Sequence, residues 1–456
     1  MNVEGTGMEP RNFRELLDER PVSRLQIMVL ILSILVAVMD GFDTQAIGYV
    51  APAIVESWGV TKQALGPVFS AGLIGSLFGA LIFGLLADRF GRRPMLILCT
   101  TIFGCAALAS ATASTVPTLI ALRLITGLGL GGAMPIALAH VSEFMPARVR
   151  NIAVTLTYVG FSLGAALGGF AADQVVRHLS WSAVFVAGGV PTLVLMLCIA
   201  AVLPESVGFL IRRSDAQSRL LAILKKLGIE ESTFHTTTEQ RRPYALIGTV
   251  GLLFGDGRAL LTAAIWLIIF LNLMQLYFFT SWLPIMIHGA AIGIGSAALI
   301  TALFQVGGSV GALVIGVLIG RFQKFVILGS VYLGGVLFIA SVGVILDSIH
   351  GPLVFAGLAV AVTLAGVSVV GGQIGAIAAT ATIYPEAIRT TGVGWALGIG
   401  RVGSVVGPFI GSTLIANQLS ARELFAMGAV PAFIAGVTAL TITFLGLEPR
   451  VRLRLA

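Results

Sequence analysis

Runs of about twenty apolar residues, the length that crosses a hydrocarbon layer roughly 30 Å thick, recur along the chain with polar breaks between them. They fall near 25–48, 65–87, 94–113, 117–140, 152–173 and 181–203 and, after a long polar stretch, near 259–284, 292–320, 325–346, 352–382, 391–416 and 423–447. The pattern predicts twelve spanning helices, six and six. The first run is too long for the apolar core of a signal peptide and lacks a clear cleavage site, so it is expected to remain as the first span. The chain then divides into a tail (1–24), a six-helix bundle (25–203), a central loop (204–258), a second six-helix bundle (259–447) and a second tail (448–456).

Composition narrows this further. Of the 456 residues 57% are apolar and 11% charged, against about 25% charged in a soluble domain. An ordinary soluble enzyme is excluded, and no catalytic domain fits the central loop. Cys99, Cys105 and Cys198 all lie in apolar stretches, so neither a disulfide framework nor a cysteine metal site can be read. None of the five histidines reads as a metal ligand, and no cofactor is expected. The net charge of +7 reports topology. Cytoplasmic loops carry the Lys and Arg excess, and placing both termini in the cytoplasm puts 23 of the 28 there. A nucleic-acid partner is a poor inference from that charge. Within the central loop, residues 215–228 show an apolar face at helical spacing flanked by bases, the pattern of an interfacial amphipathic helix or of a plain linker helix.

The two halves echo each other. Gly84 to Phe90 (GLLADRF) matches Gly316 to Phe322 (GVLIGRF), Pro146 to Arg150 matches Pro385 to Arg389, and Gly164, Gly168 and Phe170 match Gly403, Gly407 and Phe409. Three matches in the same order at nearly the same offset imply a duplicated six-helix unit. Parallel repeats of this kind place a shared site near the bilayer midplane between the halves.

A charge inside a span costs about 2.5–3.5 kcal/mol at a helix centre, which makes four residues functional candidates. Asp40 and Asp43 share the first span, three residues apart, on one helix face about 5–6 Å from each other. Their repulsion in low dielectric favours keeping a proton on at least one of them, as coupling to a proton gradient requires. Asp40 lies roughly 22 Å into its span; the alternative is that either acid sits near the outer end and faces water. Arg123, about 9 Å in from the outer edge of the fourth span, reaches a similar depth, within range of an ion pair with Asp40 or Asp43, unless it merely snorkels. The glycines that follow it permit close helix approach. Arg401 lies about 15 Å from the inner end of the eleventh span, and the spans of the second half hold no acid to pair with it. A substrate carboxylate would relieve that guanidinium in bidentate fashion. Tyr158, Asn272, Gln275, Tyr277, Gln305 and Gln373 are candidates to complete a pocket, rings stacking on a flat ligand and amides bonding its substituents. Trp282 reads either as a pocket wall or as an interfacial belt residue.

At the inner mouth the sequence reads Gly84-Leu-Leu-Ala-Asp88-Arg89-Phe-Gly91-Arg92-Arg93-Pro94. Glycine permits a tight turn, Pro94 can open the next helix, and one acid among three arginines forms a breakable charge-assisted cluster. Glu143, Arg148 and Arg150 extend this gate, the two arginines as candidate partners of Asp88 or Glu143. The run resembles the loop signature of the major facilitator superfamily. Taken with Asp40-Gly-Phe-Asp43-Thr44, with Arg123 and its glycine series, with Ser142-Glu143 before Pro146, with Leu203-Pro-Glu-Ser206 and with Gly400-Arg401-Val-Gly403, the chain resembles the aromatic acid:proton symporter family over nearly its whole length. The resemblance implies an all-α membrane protein with twelve transmembrane helices in two pseudo-symmetric six-helix bundles. It implies import of benzoate-, hydroxybenzoate- or phenylpropanoate-type anions with a proton, by alternating access across a bacterial inner membrane. By position, it gives roles to Asp40, Asp43, Asp88, Arg89, Arg123, Glu143 and Arg401. A functional monomer among membrane lipids is the default expectation. One departure stands out: Gly320 occupies the place of the acid expected beside Arg321 in the second half's loop. Two other readings compete: a carrier of non-aromatic acids or an exporter on the same fold, and a sensor without transport, for which the central loop is small.

Overall fold

In the computed structural model, residues 13–211, 217–229, 251–255, 257–288, 293–348 and 353–447 are described. Among them, twelve helices are long and apolar enough to cross a membrane. They are α1 (Arg24–Trp58), α2 (Gly66–Phe90), α3 (Arg92–Ser110), α4 (Val116–Phe144), α5 (Ala147–His178) and α6 (Trp181–Val202), then α7 (Ala259–His288), α8 (Ile294–Arg321), α9 (Lys324–Ser348), α10 (Leu353–Ala381), α11 (Glu386–Ala416) and α12 (Ala421–Phe444). Each covers one of the apolar runs. The largest difference is in α1, which continues ten residues beyond its run, through Pro52. Ser23 and Gln26 form a capping box at its start, and Gly59, at φ +62°, ends it in the left-handed region where glycine costs least. Asp40 therefore lies about 24 Å from the start of α1, close to its middle and well short of its C-terminal end.

The two sets of six pack alike. In the first, α1 lies on α5 and α6, α2 on α4, and α3 on α6; in the second, α7 lies on α11 and α12, α8 on α10, and α9 on α12. The repeated glycines do the same work twice. A Cβ on Gly164 of α5 would collide with the Val38 carbonyl of α1, and one on Gly403 of α11 with the Phe270 carbonyl of α7. Pro146 and Pro385 take the same cap position before α5 and α11. The bundles meet along three helix pairs: α5 with α8, α2 with α11, and α1 with α7.

α10 carries one irregularity, a π turn over Val367–Gly371. Such turns free carbonyls from the regular ladder and cluster at functional positions.

The central segment departs from the interfacial-helix expectation. Helix Gln217–Lys226 turns Leu220, Ile223 and Leu224 into the protein, where they pack in one cluster with Leu227, Phe209, Leu210 and the short helix Phe13–Asp18. With protein already covering its apolar face, no such face is left for lipid. Residues 212–216, 230–250 and 256 of the central loop, which include the first two positions of the helix expected at 215–228, and the tails at 1–12 and 448–456 lie outside the described residues.

Candidate functional site

Of the four charged residues singled out inside the spans, Asp40, Arg123 and Arg401 line one cavity between the bundles, and Asp43 lies behind it against Arg123. Arg123 of α4 is 2% exposed and Asp43 of α1 is 3% exposed. Arg123 Nη1 donates to Asp43 Oδ2 at 3.0 Å, and Nη2 donates to the Asp43 carbonyl at 3.2 Å. The sequence allowed either acid to take Arg123, and the structure gives it to Asp43. Asp40, 6% exposed, has no basic partner within ion-pair distance among the described residues. Its Oδ1 accepts a hydrogen bond from Thr44 Oγ1 at 3.2 Å.

Asp40 opens onto a cavity of about 340 Å³ between the two bundles, and Arg123 and Arg401 form part of its wall while Asp43 does not. Arg401 has no carboxylate within ion-pair distance among the described residues. Its Nη1 donates instead to Ser76 Oγ of α2, in the opposite bundle, at 2.7 Å. One cavity therefore holds a carboxyl and a guanidinium, neither of them ion-paired among the described residues. The volume falls in the range of small-molecule sites, and a mostly apolar wall with a few placed polar groups is their usual construction.

Tyr158, Tyr277, Gln305 and Gln373 line the same cavity. Asn272 does not. It is buried against α10, where its Nδ2 donates to the Val369 carbonyl at 2.9 Å. That carbonyl also accepts from the Gly372 backbone N–H, so the amide nitrogen adds a brace to α10, while Asn272 Oδ1 is buried with no hydrogen-bond partner among the described residues. Gln275 is also off the cavity wall: its Nε2 donates to the Gly428 carbonyl at 2.7 Å, and its Oε1 is buried with no partner among the described residues. Trp282 is neither belt nor pocket: fully buried, it donates to the Pro408 carbonyl at 3.0 Å and stands edge-on to Phe69 of the other bundle. Sequence reasoning missed Ser76, Gln45, Ser162 and Thr280, all on the cavity wall. Of these only Ser76 left a signal, lying in a stripe of small residues with Gly72, Gly75 and Gly79.

The bundles are tied together at one end. Ser412 Oγ donates to the Gln63 carbonyl (3.0 Å), Gln63 Nε2 to the Ile415 carbonyl (3.3 Å) and Ser70 Oγ to the Val405 carbonyl (3.1 Å). Glu56 and His288 meet across the same end at 2.8 Å. From there the cavity wall continues toward the opposite, basic end through Met134, Leu138, Ile377 and Leu397.

At the basic end the gate residues are arranged differently from expectation. Arg92 Nη2 pairs with Glu143 Oε1 at 2.8 Å, and Ser206 Oγ donates to the other oxygen of Glu143. Glu205 Oε1 accepts from the backbone N–H groups of Arg92 and Arg93 at 2.9 and 3.2 Å, capping α3. Gly91 stands at φ +103°, where a Cβ would also strike the Glu205 carboxylate. Arg148 and Arg150 partner neither Asp88 nor Glu143. Arg148 donates to the Asp18 and Arg20 carbonyls, because the chain before α1 folds back over the α4–α5 turn, and Arg150 Nε donates to the Met145 carbonyl within that turn. Asp88 is exposed with no side-chain partner among the described residues, Arg89 lies over the Phe90 ring, and Gly84 faces open space.

Two six-helix bundles flanking a central cavity define a class of membrane carrier. The profile of the Major Facilitator Superfamily matches residues 33–370 and 265–455, and the chain belongs to that superfamily. It is 37% identical to the 4-hydroxybenzoate transporter PcaK of Pseudomonas putida over 96% of both chains, and 35% identical to the gallate transporter of the same species over 94% of this chain and 95% of that one. The 3-(3-hydroxy-phenyl)propionate transporter of Escherichia coli is 32% identical over 89% and 91%. Among solved structures, the inward-open xylose transporter XylE of E. coli superposes with a TM-score of 0.72 at 17% identity, covering 94% of this chain and 98% of that one. Within the superfamily the chain thus stands with its aromatic acid transporters, and it is a multi-pass membrane protein.

Proposed function

We propose that this protein imports an aromatic carboxylate together with a proton across a bacterial inner membrane, its two bundles alternating access to the central cavity. The observation that carries the reading is two opposite charges in one cavity, Arg401 and Asp40, neither of them ion-paired among the described residues. The relatives' named substrates supply the class: hydroxylated or phenylpropanoid aromatic acids.

The coupling follows from charge balance. Asp43 and Arg123 cancel each other permanently, and ionised Asp40 with Arg401 leaves the empty site neutral. A substrate carboxylate docking on Arg401 brings a net negative charge into low dielectric, where an uncompensated charge is expensive. A proton on Asp40 restores neutrality. The site thus crosses the membrane empty and neutral or doubly loaded and neutral, and crossing with one ligand alone is penalised. Tyr158 and Tyr277 supply ring faces for the flat ligand, and Gln305 and Gln373 supply amides for its substituents.

With the Lys-rich and Arg-rich loops in the cytoplasm, both chain termini face inward, the tied end faces out, and the cavity faces the cytoplasm. Arg92, Glu143, Glu205 and Asp88 then belong to the inner gate, with Gly84, Arg89 and Gly91 in its turn.

The test is uptake of labelled 4-hydroxybenzoate by liposomes holding the purified protein, with the outside made acidic. Uphill accumulation that vanishes when the gradient is collapsed is the expected result. Uptake that only equilibrates, or that ignores the gradient, overturns the coupling. Accumulation of other organic acids but no aromatic one overturns the substrate class.

A further inference from the structure

α2 and α11 run antiparallel along a seam of small and polar residues. Passing inward from the tied end, Gly66 abuts Ser412, Ser412 Oγ bonds the Gln63 carbonyl, Ser70 Oγ bonds the Val405 carbonyl, and Arg401 Nη1 bonds Ser76 Oγ. The innermost contact differs from the others. It engages a full charge, and both of its members line the cavity, which Gln63, Gly66, Ser70 and Ser412 do not. The backbone that carries the hydroxyl is closely packed. A Cβ on Gly131 of α4 would collide with the Ser76 carbonyl, and one on Gly127 with the Gly72 carbonyl one turn earlier.

We propose that Ser76 is a positioning residue that stands in for the substrate carboxylate in the empty carrier. It accepts from Arg401 while the cavity is closed to water, and so allows the unloaded protein to reorient. The proposal rests on Arg401 being the carboxylate site. A symport cycle has two crossings, one loaded and one empty, and in both the guanidinium passes through an occluded state without bulk water. In the loaded crossing the substrate satisfies it. In the empty crossing it needs another acceptor, since an unsatisfied guanidinium in low dielectric is costly. Ser76 is the residue of the opposite bundle already bonded to it, and as the innermost contact of the seam it is the last to part when the outer end opens. A neutral hydroxyl accepts less strongly than a carboxylate, so an arriving anion displaces it.

Counterflow and net uptake separate the two crossings, because exchange uses only the loaded carrier whereas net uptake also needs the empty return. In liposomes, Ser76→Ala should leave 4-hydroxybenzoate counterflow within about twofold of the parent in rate and half-saturating concentration. Gradient-driven net uptake should fall about tenfold, the scale of one lost charged hydrogen bond. Ser76→Thr, which keeps the hydroxyl, should restore net uptake. Parallel loss of both modes would place Ser76 in substrate contact or folding and overturn the proposal, as would a variant with unchanged net uptake. Absence of aromatic acid counterflow in the parent protein would defeat the Arg401 reading itself, before any variant is compared, and the proposal with it.

Discussion

Asp40 and Asp43 sit one helical turn apart and have opposite fates. Asp43 is consumed by Arg123 from two directions, through its carboxylate and its carbonyl, while Asp40 keeps a carboxyl turned to the cavity. Substitution should separate them. Removing one member of a buried ion pair costs about 3–5 kcal/mol, so Asp43→Asn should lower thermal stability in detergent markedly. Asp40→Asn exchanges a lone carboxyl for an isosteric amide and should leave stability near the parent's. It should abolish gradient-driven accumulation while preserving counterflow; accumulation that persisted would remove Asp40 from the coupling role. Arg401→Gln deletes the charged partner proposed for the substrate carboxylate, worth about 1.5–3 kcal/mol, and should raise the half-saturating concentration about ten- to hundredfold in counterflow. An unchanged value would make Arg401 structural. The charged set itself was legible in the sequence, because a membrane makes every intramembrane charge conspicuous. Which acid takes Arg123 was not, because residues three apart share a helix face only to within about 60° and the crossing of α4 over α1 decides between them.

At the level of elements the bilayer did most of the specification. It fixes how long a spanning helix is and forbids irregular backbone facing lipid, so the twelve runs foretold twelve helices with only their ends in doubt. The π turn in α10 left no comparable mark. No proline interrupts Ala365-Gly-Val-Ser-Val-Val-Gly-Gly, and the turn is held by partners distant in sequence: Asn272 on the Val369 carbonyl and Tyr332 on the Gly372 carbonyl. For the same reason Asn272 read as a pocket residue. A polar side chain in an apolar helix advertises a role, but the ligand and the neighbouring backbone compete for it equally on paper. The glycine series of α4 was more informative, since close approach is the only use for so many glycines in one span. Gly127 touches the Gly72 carbonyl and Gly131 the Ser76 carbonyl, both backbone atoms that cannot move aside. Gly131→Leu should therefore remove most of the folded, monodisperse protein recovered in detergent, where the same change at Gly84, which faces open space, should leave recovery unaltered. Equal recovery of the two variants would mean that the α2–α4 contact is looser than its geometry.

The two halves of the molecule are alike in their internal packing and differ in how they meet, and transport depends on the meeting. Repetition within the chain revealed the likeness; nothing in one sequence revealed the seam, because hydrophobic periodicity says which face of a helix is buried and not against what. The seam makes a prediction for the whole cycle. If α2 and α11 part at their outer ends each time the carrier turns outward, a covalent tie between them should stop every mode of transport. Gly66 and Ser412 suit the test: an ideal Cβ on Gly66 falls 2.5 Å from the Ser412 Cβ, somewhat nearer than the roughly 3.8 Å of a disulfide, so a small outward adjustment of α2 admits the bond. Cys99, Cys105 and Cys198 are replaced beforehand, two of them being accessible. In Gly66→Cys/Ser412→Cys protein, oxidation should abolish net uptake and counterflow alike, and a reductant should restore both. Each single variant should be indifferent to the oxidant. Unlike the loss of Ser76, which is expected to spare exchange, this tie blocks the loaded carrier as well as the empty one. Full cross-linking with counterflow intact would show that substrate passes without the outer seam opening, and the two-bundle rocking motion would have to be abandoned for this protein.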